Sequence, residues 1–367
     1  MKNLRSICFL IQGHTFLKSI FPLVVSSNSC GIEPIIFCLR FRQGKSYDNL
    51  SKQYIDNLLL SLKKQIKDYK IFWVDNLEQV RKIMGQIKCF DIFCQDANHH
   101  AKLLCSDKEI RVMSICMFFD TLHYANRINK KHSSIETSSI PDSMYFHDDF
   151  FEKKFTSLCS SFLFKKKVFT NPYFDQLNYL KKFENKKTIS FFPASQKLIS
   201  EKVQQELENY LDQCDASGCR VIIKQRKKDP WVFKFSNRNN NFLSISHEKG
   251  FPSTSLEIIA NSDLVISSYS TVALESKFLN VPNINLDIGL EKLNNGVKCP
   301  LALSFLKNEC FETFDNYNSR NHNNHSSISI VELAQFLMEK FPNQKKFESV
   351  KCRNSHVLLK DLISEKS

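Results

Sequence analysis

The sequence lacks several things that would each define a class of protein. No apolar run approaches the ~18 residues that a membrane-spanning helix needs. The longest candidate, "FLKSIFPLVV", is interrupted by Lys18 and Pro22. No CxxC pair occurs among the thirteen cysteines. They are scattered, as Cys8, Cys30, Cys38, Cys89, Cys94 and Cys105 show, and most lie in apolar runs where a free thiol acts as a small hydrophobe. That pattern speaks against a disulfide framework or a cysteine metal site and for a reducing cytoplasm. The opening stretch "MKNLRSICFLIQG" has basic residues before apolar ones, yet its apolar part is short and has no small-residue cleavage site. It runs into Gly13 and His14 as a first strand would, so it reads as a strand and not as a signal peptide.

What is present fits a soluble globular chain of two domains. The 367 residues are too many for one ordinary core, and 42% are hydrophobic against 24% charged. A net charge of +13 favours polyanions, nucleotide phosphates or an anionic membrane surface as partners. The Lys, Asn, Phe and Ile bias equally fits an AT-rich genome.

Along the first half, strand-like and helix-like segments alternate. "SICFLIQG", "EPIIFCLRF", "KIFWV", "CFDIFCQ" and "RVMSICMFF" read as strands. Between them lie helical patterns: one ends at Gly31, then come "YDNLSKQYIDNLLLSLKKQIKDY", "NLEQVRKIMGQIK" and "HHAKLLCS". Residues 121–160 are less regular. The alternation restarts with "TISFFPAS", a helix ending at Gly218, the strands "CRVIIKQRKK" and "FLSISH", and the helix "TSLEIIANS". Continuous apolar strands separated by amphipathic helices predict parallel sheets covered on both faces. The expected fold is therefore α/β with two Rossmann-like doubly wound domains. Residues 1–165 form the first, 166–345 the second, and 346–367 a C-terminal tail or helix.

The stretch "SDLVISSYSTVALESKFLNVPNINLD", residues 262–287, carries the densest chemistry. With "DLVIS" a strand and "TVALESKFL" a helix, Ser268, Ser270 and Thr271 form the turn between them. In open parallel sheets, ligands sit at the carboxyl ends of strands. A helix start there offers unpaired N–H groups and about half a positive charge, and hydroxyls add donors for phosphate oxygens. Thr271 and Glu275 are four residues apart on one helix face, so a carboxylate one turn in could accept from paired ribose hydroxyls. The plainer alternative is that Ser270 caps the helix and Glu275 is a solvated surface acid. In "IIKQRKKD", Lys224, Arg226 and Lys228 share one face if the strand continues, and Arg226 is the best candidate for a bidentate grip on phosphate. Otherwise this is a basic edge strand whose lysines discourage aggregation. In the first half, Asp96, His99 and His100 end one strand, and Asp120 and His123 follow the next. Asp96 and His100 are candidates for the base that deprotonates an acceptor hydroxyl, with loop polarity or helix capping as the alternative. The pair His322 and His325 lies in the polar stretch "NYNSRNHNNHSS" without further ligands, so no metal site is expected there. Downstream, Ser329 and Glu332 have capping-box spacing.

Residues 262–287 resemble the C-terminal donor-binding motif of GT-B glycosyltransferases, in particular bacterial surface-polysaccharide enzymes and CDP-glycerol glycerophosphotransferases. "KKVFTNPYFDQL" followed by "KKTISFFPAS" is similar to the segment that opens their second domain, and "RVIIKQRKKD" to their basic strand. The resemblance covers residues 165–290; Asn171 replaces a usual small residue, and Gln225-Arg226 a usual His. It implies a metal-independent transferase with no cofactor, using a nucleotide-activated sugar or polyol phosphate as donor and a surface polysaccharide or lipid-linked glycan as acceptor. Lys224, Arg226, Ser268, Ser270, Thr271 and Glu275 would hold the donor. His14, which follows the first strand as in the family, ranks ahead of Asp96 and His100 as the catalytic base. No DxD-type acid pair stands by a strand in the motif region, so a metal-bridged diphosphate is not expected. A nucleotide-sugar 2-epimerase on the same scaffold, or a non-catalytic nucleic-acid or polyanion binder, are the alternatives. The favoured function has no nucleic-acid partner and places the chain in the cytoplasm, with "FLFKKK" at 162–167 as a candidate peripheral contact with the inner face of the cell membrane.

Overall fold

In the computed structural model the chain divides into two units. The structure describes residues 5–11, 14–42, 45–46, 49–95, 109–115, 141–146, 149–158, 165–169, 171–193, 196, 201–226, 230–233, 241–246, 251–267, 270–286, 330–340 and 354–364. The first unit comprises Met1–Asn178, Lys249–Phe251 and Lys351–Ser367, and the second Tyr179–Glu248 and Pro252–Val350.

The first unit is built on a seven-stranded sheet. Its strands are β1 (Arg5–Ile11), β2 (Ile32–Leu39), β5 (Lys70–Val74), β6 (Asp91–Gln95), β7 (Arg111–Ile115), β8 (Ser143–Phe146) and β9 (Lys165–Val168). The spatial order is β5-β2-β1-β6-β7-β8-β9, and every ladder is parallel. Between β2 and β5, the two-residue strands β3 (Phe41–Arg42) and β4 (Lys45–Ser46) form a small antiparallel pair.

Period-two alternation sends each strand's residues to opposite faces. Ile7, Phe9 and Ile11 pack with α1 (His14–Ser27) and α2 (Asn49–Lys63). Cys8 and Leu10 pack with Leu77, Val80 and Met84 of α3 (Leu77–Ile87). Helix α1 runs into a 3-10 turn, Asn28–Cys30, and stops at Gly31, whose φ of 74° is the left-handed conformation that favours glycine.

The expected break at 165/166 differs from the observed division between Asn178 and Tyr179. Lys165–Val168 pairs with β8 at the edge of the first sheet, which ties the segment to the first unit. The irregular stretch 121–160 includes β8, fully buried, and α4 (Asp149–Leu158). A four-residue strand is too short to show a period.

The C-terminal segment is not a loose tail. Its helix α9 (Asn354–Ser364) buries Leu358, Leu359 and Leu362 in the same core as α1. It is fastened at both ends. The backbone N–H groups of Asn354 and Ser355 donate to the buried carboxylate of Asp175, at 3.0 and 2.7 Å. Asp175 lies in the 3-10 segment Pro172–Tyr179 that leads to the second unit. Arg5 Nη1 donates to the carbonyl oxygen of Leu362 at 3.2 Å, and Arg5 also pairs with buried Asp91. Lys167 of β9 pairs with Asp361.

The second unit has a five-stranded parallel sheet. Its strands are β10 (Thr188–Phe192), β11 (Arg220–Lys224), β12 (Phe242–Ile245), β13 (Leu264–Ser267) and β14 (Asn283–Asn285), in the order β12-β11-β10-β13-β14. One face packs on α5 (Glu201–Ala216) and α8 (Ile330–Lys340). The other packs on α6 (Thr254–Ala260) and α7 (Thr271–Phe278). After α5 the chain turns at Gly218, φ 85°, as its glycine predicts. The segments "HHAKLLCS" and 316–327, the pair His322 and His325, and the proposed capping residue Ser329 lie outside the described residues.

Two outcomes follow. Asp175→Ala strands two buried N–H groups at the start of α9 and is expected to cost ~2–3 kcal/mol in urea unfolding, with Asp175→Asn costing less. Burial pushes the Cys38 thiol up to about 12, and that of Cys214 to about 11, from an ordinary 9. The unfolded chain therefore loses these protons first. Stability is complete below pH 9 and falls as pH rises above it, by up to ~1.4 kcal/mol per pH unit for each thiol. Urea midpoints at pH 8 and pH 10 under reducing conditions read this out, and Cys38→Ala reduces the slope.

Candidate functional site

The site begins where β13 ends. All four residues of β13 are buried, because the strand is covered on both faces. A hydroxyl at its end must then find a partner. The Ser267 hydroxyl meets the side chain of Asn283 in neighbouring β14, whose Nδ2 donates to it at 3.1 Å. Ser267's carbonyl accepts from the Leu286 N–H at 2.7 Å. Asn283 is a residue the sequence pattern did not single out, since its partnership depends on the β13–β14 register, in which it faces Val265.

Ser270 then caps α7. Its backbone is extended, with φ −123° and ψ 152°, and its side-chain oxygen accepts from the Val272 N–H at 3.3 Å. The capping alternative is therefore realised. It does not remove the hydroxyl from ligand chemistry, because a serine oxygen that accepts a cap bond keeps a proton to donate. No acid stands in the first turn of α7, so no carboxylate of that turn offsets the positive end of the helix.

Thr271, the first residue of α7, is exposed, and Val272 to Ser276 are buried. Glu275 is among them, at 7% exposure, so it is not the solvated surface acid of the plainer alternative. Val272 packs in the cluster on this face of the sheet, Leu274 is buried too, and the Ser276 hydroxyl bonds back to the Val272 carbonyl at 2.8 Å. Ser268 lies outside the described residues.

β11 stops at Lys224, which is half-buried and stands opposite Ile245 of β12. Arg226 is exposed beyond the strand, so strand alternation does not place it on a face with Lys224 as expected. Gln225 intervenes, and its N–H donates to the Ile245 carbonyl at 2.8 Å. Lys228 is outside the described residues. Because β10, β11 and β13 are parallel, Lys224, Arg226, Ser270 and Thr271 all lie at the carboxyl edge of one sheet. That is the edge at which open α/β sheets bind ligands.

In the first unit, His14 is the first residue of α1, following the carboxyl end of β1. Asp96, His99, His100, Asp120 and His123 lie outside the described residues; β6 ends at Gln95, directly before Asp96. Among the described residues, no group of three or more His, Cys, Asp or Glu side chains is placed to hold a metal ion.

No family model matches the sequence, and no curated protein matches it. Solved structures do resemble it. A UDP-N-acetylglucosamine 2-epimerase superposes with a TM-score of 0.56 at 11% identity, over 99% of this chain and 96% of its own. A UDP-glucosyltransferase from Polygonum tinctorium gives 0.54 at 9% identity, over 98% of each chain. The S. aureus MnaA–UDP co-structure gives 0.51 at 11% identity, over 79% of this chain and 81% of that one. The two units thus carry the GT-B fold shared by these glycosyltransferases and epimerases.

Ser270→Ala is expected to destabilise the protein by ~1 kcal/mol in urea unfolding, the usual worth of an N-cap. Ser270→Asp, which caps equally well and adds a negative charge at the positive helix end, should restore that loss.

Proposed function

We propose that this chain is a GT-B transferase that moves a sugar, or a polyol phosphate, from a nucleotide-activated donor to a surface polysaccharide or lipid-linked glycan acceptor. The observation that carries this reading is the start of α7. A capped helix with no acid in its first turn stands at the carboxyl edge of the second sheet, and a buried carboxylate lies one turn behind it.

In this mechanism the α7 amides and the hydroxyls of Ser270 and Thr271 hold the donor diphosphate. Glu275 accepts from the ribose hydroxyls. Arg226 and Lys224 stabilise charge on the departing group, the role that fixed cations perform best where charge develops. For a sugar donor, the bond from the anomeric carbon to the diphosphate oxygen breaks and its electron pair leaves with the nucleoside diphosphate. The acceptor oxygen forms the new bond to that carbon and gives up its proton to a base, with His14 ranked ahead of Asp96 and His100. The donor is a substrate, and neither a metal nor a further cofactor is part of the scheme.

The same reading has the protein work on the cytoplasmic side, with peripheral contact to an anionic membrane and no nucleic-acid partner. Among the described residues, no helix is long and apolar enough to cross a membrane.

A thermal-shift screen against UDP-, CMP-, CDP- and GDP-linked donors tests the proposal. One class should stabilise the wild type, by ~2.7 kcal/mol at a hundredfold excess over Kd. Glu275→Ala and Ser270→Asp should lose that shift, Ser270→Asp while keeping its intrinsic stability. Equal shifts in all three proteins would remove α7 from the site. Inversion at C2 of a UDP-N-acetylhexosamine without an acceptor would replace transfer by epimerisation. Salt-dependent DNA binding with no donor binding would replace both.

A further inference from the structure

The basic end of β11 is held by an arrangement with no counterpart in the sequence motifs. The chain leaves the strand at Gln225 and is recaptured at Trp231 by the same residue's side chain. Gln225 Nε2 donates to the Trp231 carbonyl at 3.1 Å, and the Trp231 N–H donates to Gln225 Oε1 at 2.8 Å. The next residue is held in the same way from another loop. Gln196 Nε2 donates to the Val232 carbonyl at 3.2 Å, and the Val232 N–H donates to Gln196 Oε1 at 3.2 Å.

A primary amide carries the donor and acceptor of a peptide group, so each glutamine closes a two-bond ring on one residue, as a neighbouring strand would. The arrangement is braced on all sides. Gln196 and Gln204 of α5 bond each other, with Gln204 Nε2 on the Gln196 carbonyl at 2.8 Å. The Trp231 indole N–H donates to Glu208 of α5 at 3.1 Å. Its ring, 3% exposed, stands edge-on to Phe191 of β10 and stacks with Phe233.

Gln225 follows the carboxyl end of β11, and Gln196 follows that of β10, the strand paired directly with β13. We infer that Gln225 and Gln196 are positioning residues for the proposed diphosphate site: by clamping Trp231 and Val232 they hold the chain where it returns after Arg226, while the Gln225 N–H on the Ile245 carbonyl holds it just before Arg226. This rests on the nucleotide reading of α7.

The test uses full-length protein with Trp73→Phe, which leaves Trp231 as the lone indole of the two in the chain. Gln225→Glu and Gln196→Glu keep the shape and the acceptor but set a carboxylate oxygen against the Trp231 or Val232 carbonyl. Both variants should shift Trp231 emission to the red and raise its quenching by acrylamide. Their affinity for UDP should fall by about tenfold, the scale of one hydrogen bond to a charged group. Glu275→Ala should weaken UDP without changing the quenching. Unchanged quenching in both glutamate variants would overturn the clamp. Altered quenching with unchanged UDP affinity would overturn its role in the site alone. A wild-type protein that bound no UDP would move the same measurements to CMP, CDP or GDP, and binding of none of the four would remove the nucleotide site, and this role with it.

Discussion

Parallel strand pairing is the constraint on which this structure depends. Every ladder in the two large sheets is parallel, and a parallel pair cannot be closed by a hairpin. Each strand must therefore open at its carboxyl end into a crossover, and those openings gather along one edge of the sheet. The crossovers lay helices on both faces, so the strands are apolar almost throughout. Some of the polar groups left inside match one another, as the Ser262 hydroxyl does with Ser190 at 2.8 Å and Ser267 with Asn283. The start of α7 follows from this arrangement: a strand that cannot turn back delivers hydroxyls and a fresh helix terminus to the edge where ligands sit.

The charge at that edge is asymmetric. Lys224 and Arg226 bring cations, the helix start brings partial positive charge, and Glu275 is buried within the packing of α7, beyond its first turn. The Ser270 hydroxyl caps α7 with its oxygen and keeps a hydrogen to donate.

Much of this was legible in the chain. Runs such as "SICFLIQ" and "DLVIS" announced buried strands by being apolar without alternation, and Gly31 and Gly218 marked helix ends by the backbone conformation they permit. The turn at Ser270 was visible because hydroxyls stand between a strand pattern and a helix pattern. Two things could not be read this way. Burial of Glu275 depends on how α7 rolls onto β13, which its short, weakly patterned sequence does not specify. The two glutamine clamps join residues from separate loops through side-chain amides, and Gln196 and Gln225 look like ordinary surface polar residues until the fold brings them to one arm. The extent of the first unit was also hidden, because β8 is brief and β9 is nearly all lysine and pairs only at a sheet edge.

The link between Asp175 and α9 bears on how the molecule is made. The helix that adds Leu358, Leu359 and Leu362 to the first unit's core, and whose amides that carboxylate holds, follows the second unit in the chain. During synthesis the sheet face that α1 and α2 cover waits for Leu358, Leu359 and Leu362 to join its core. Of the two units, the one with the earlier first strand also receives the later core helix.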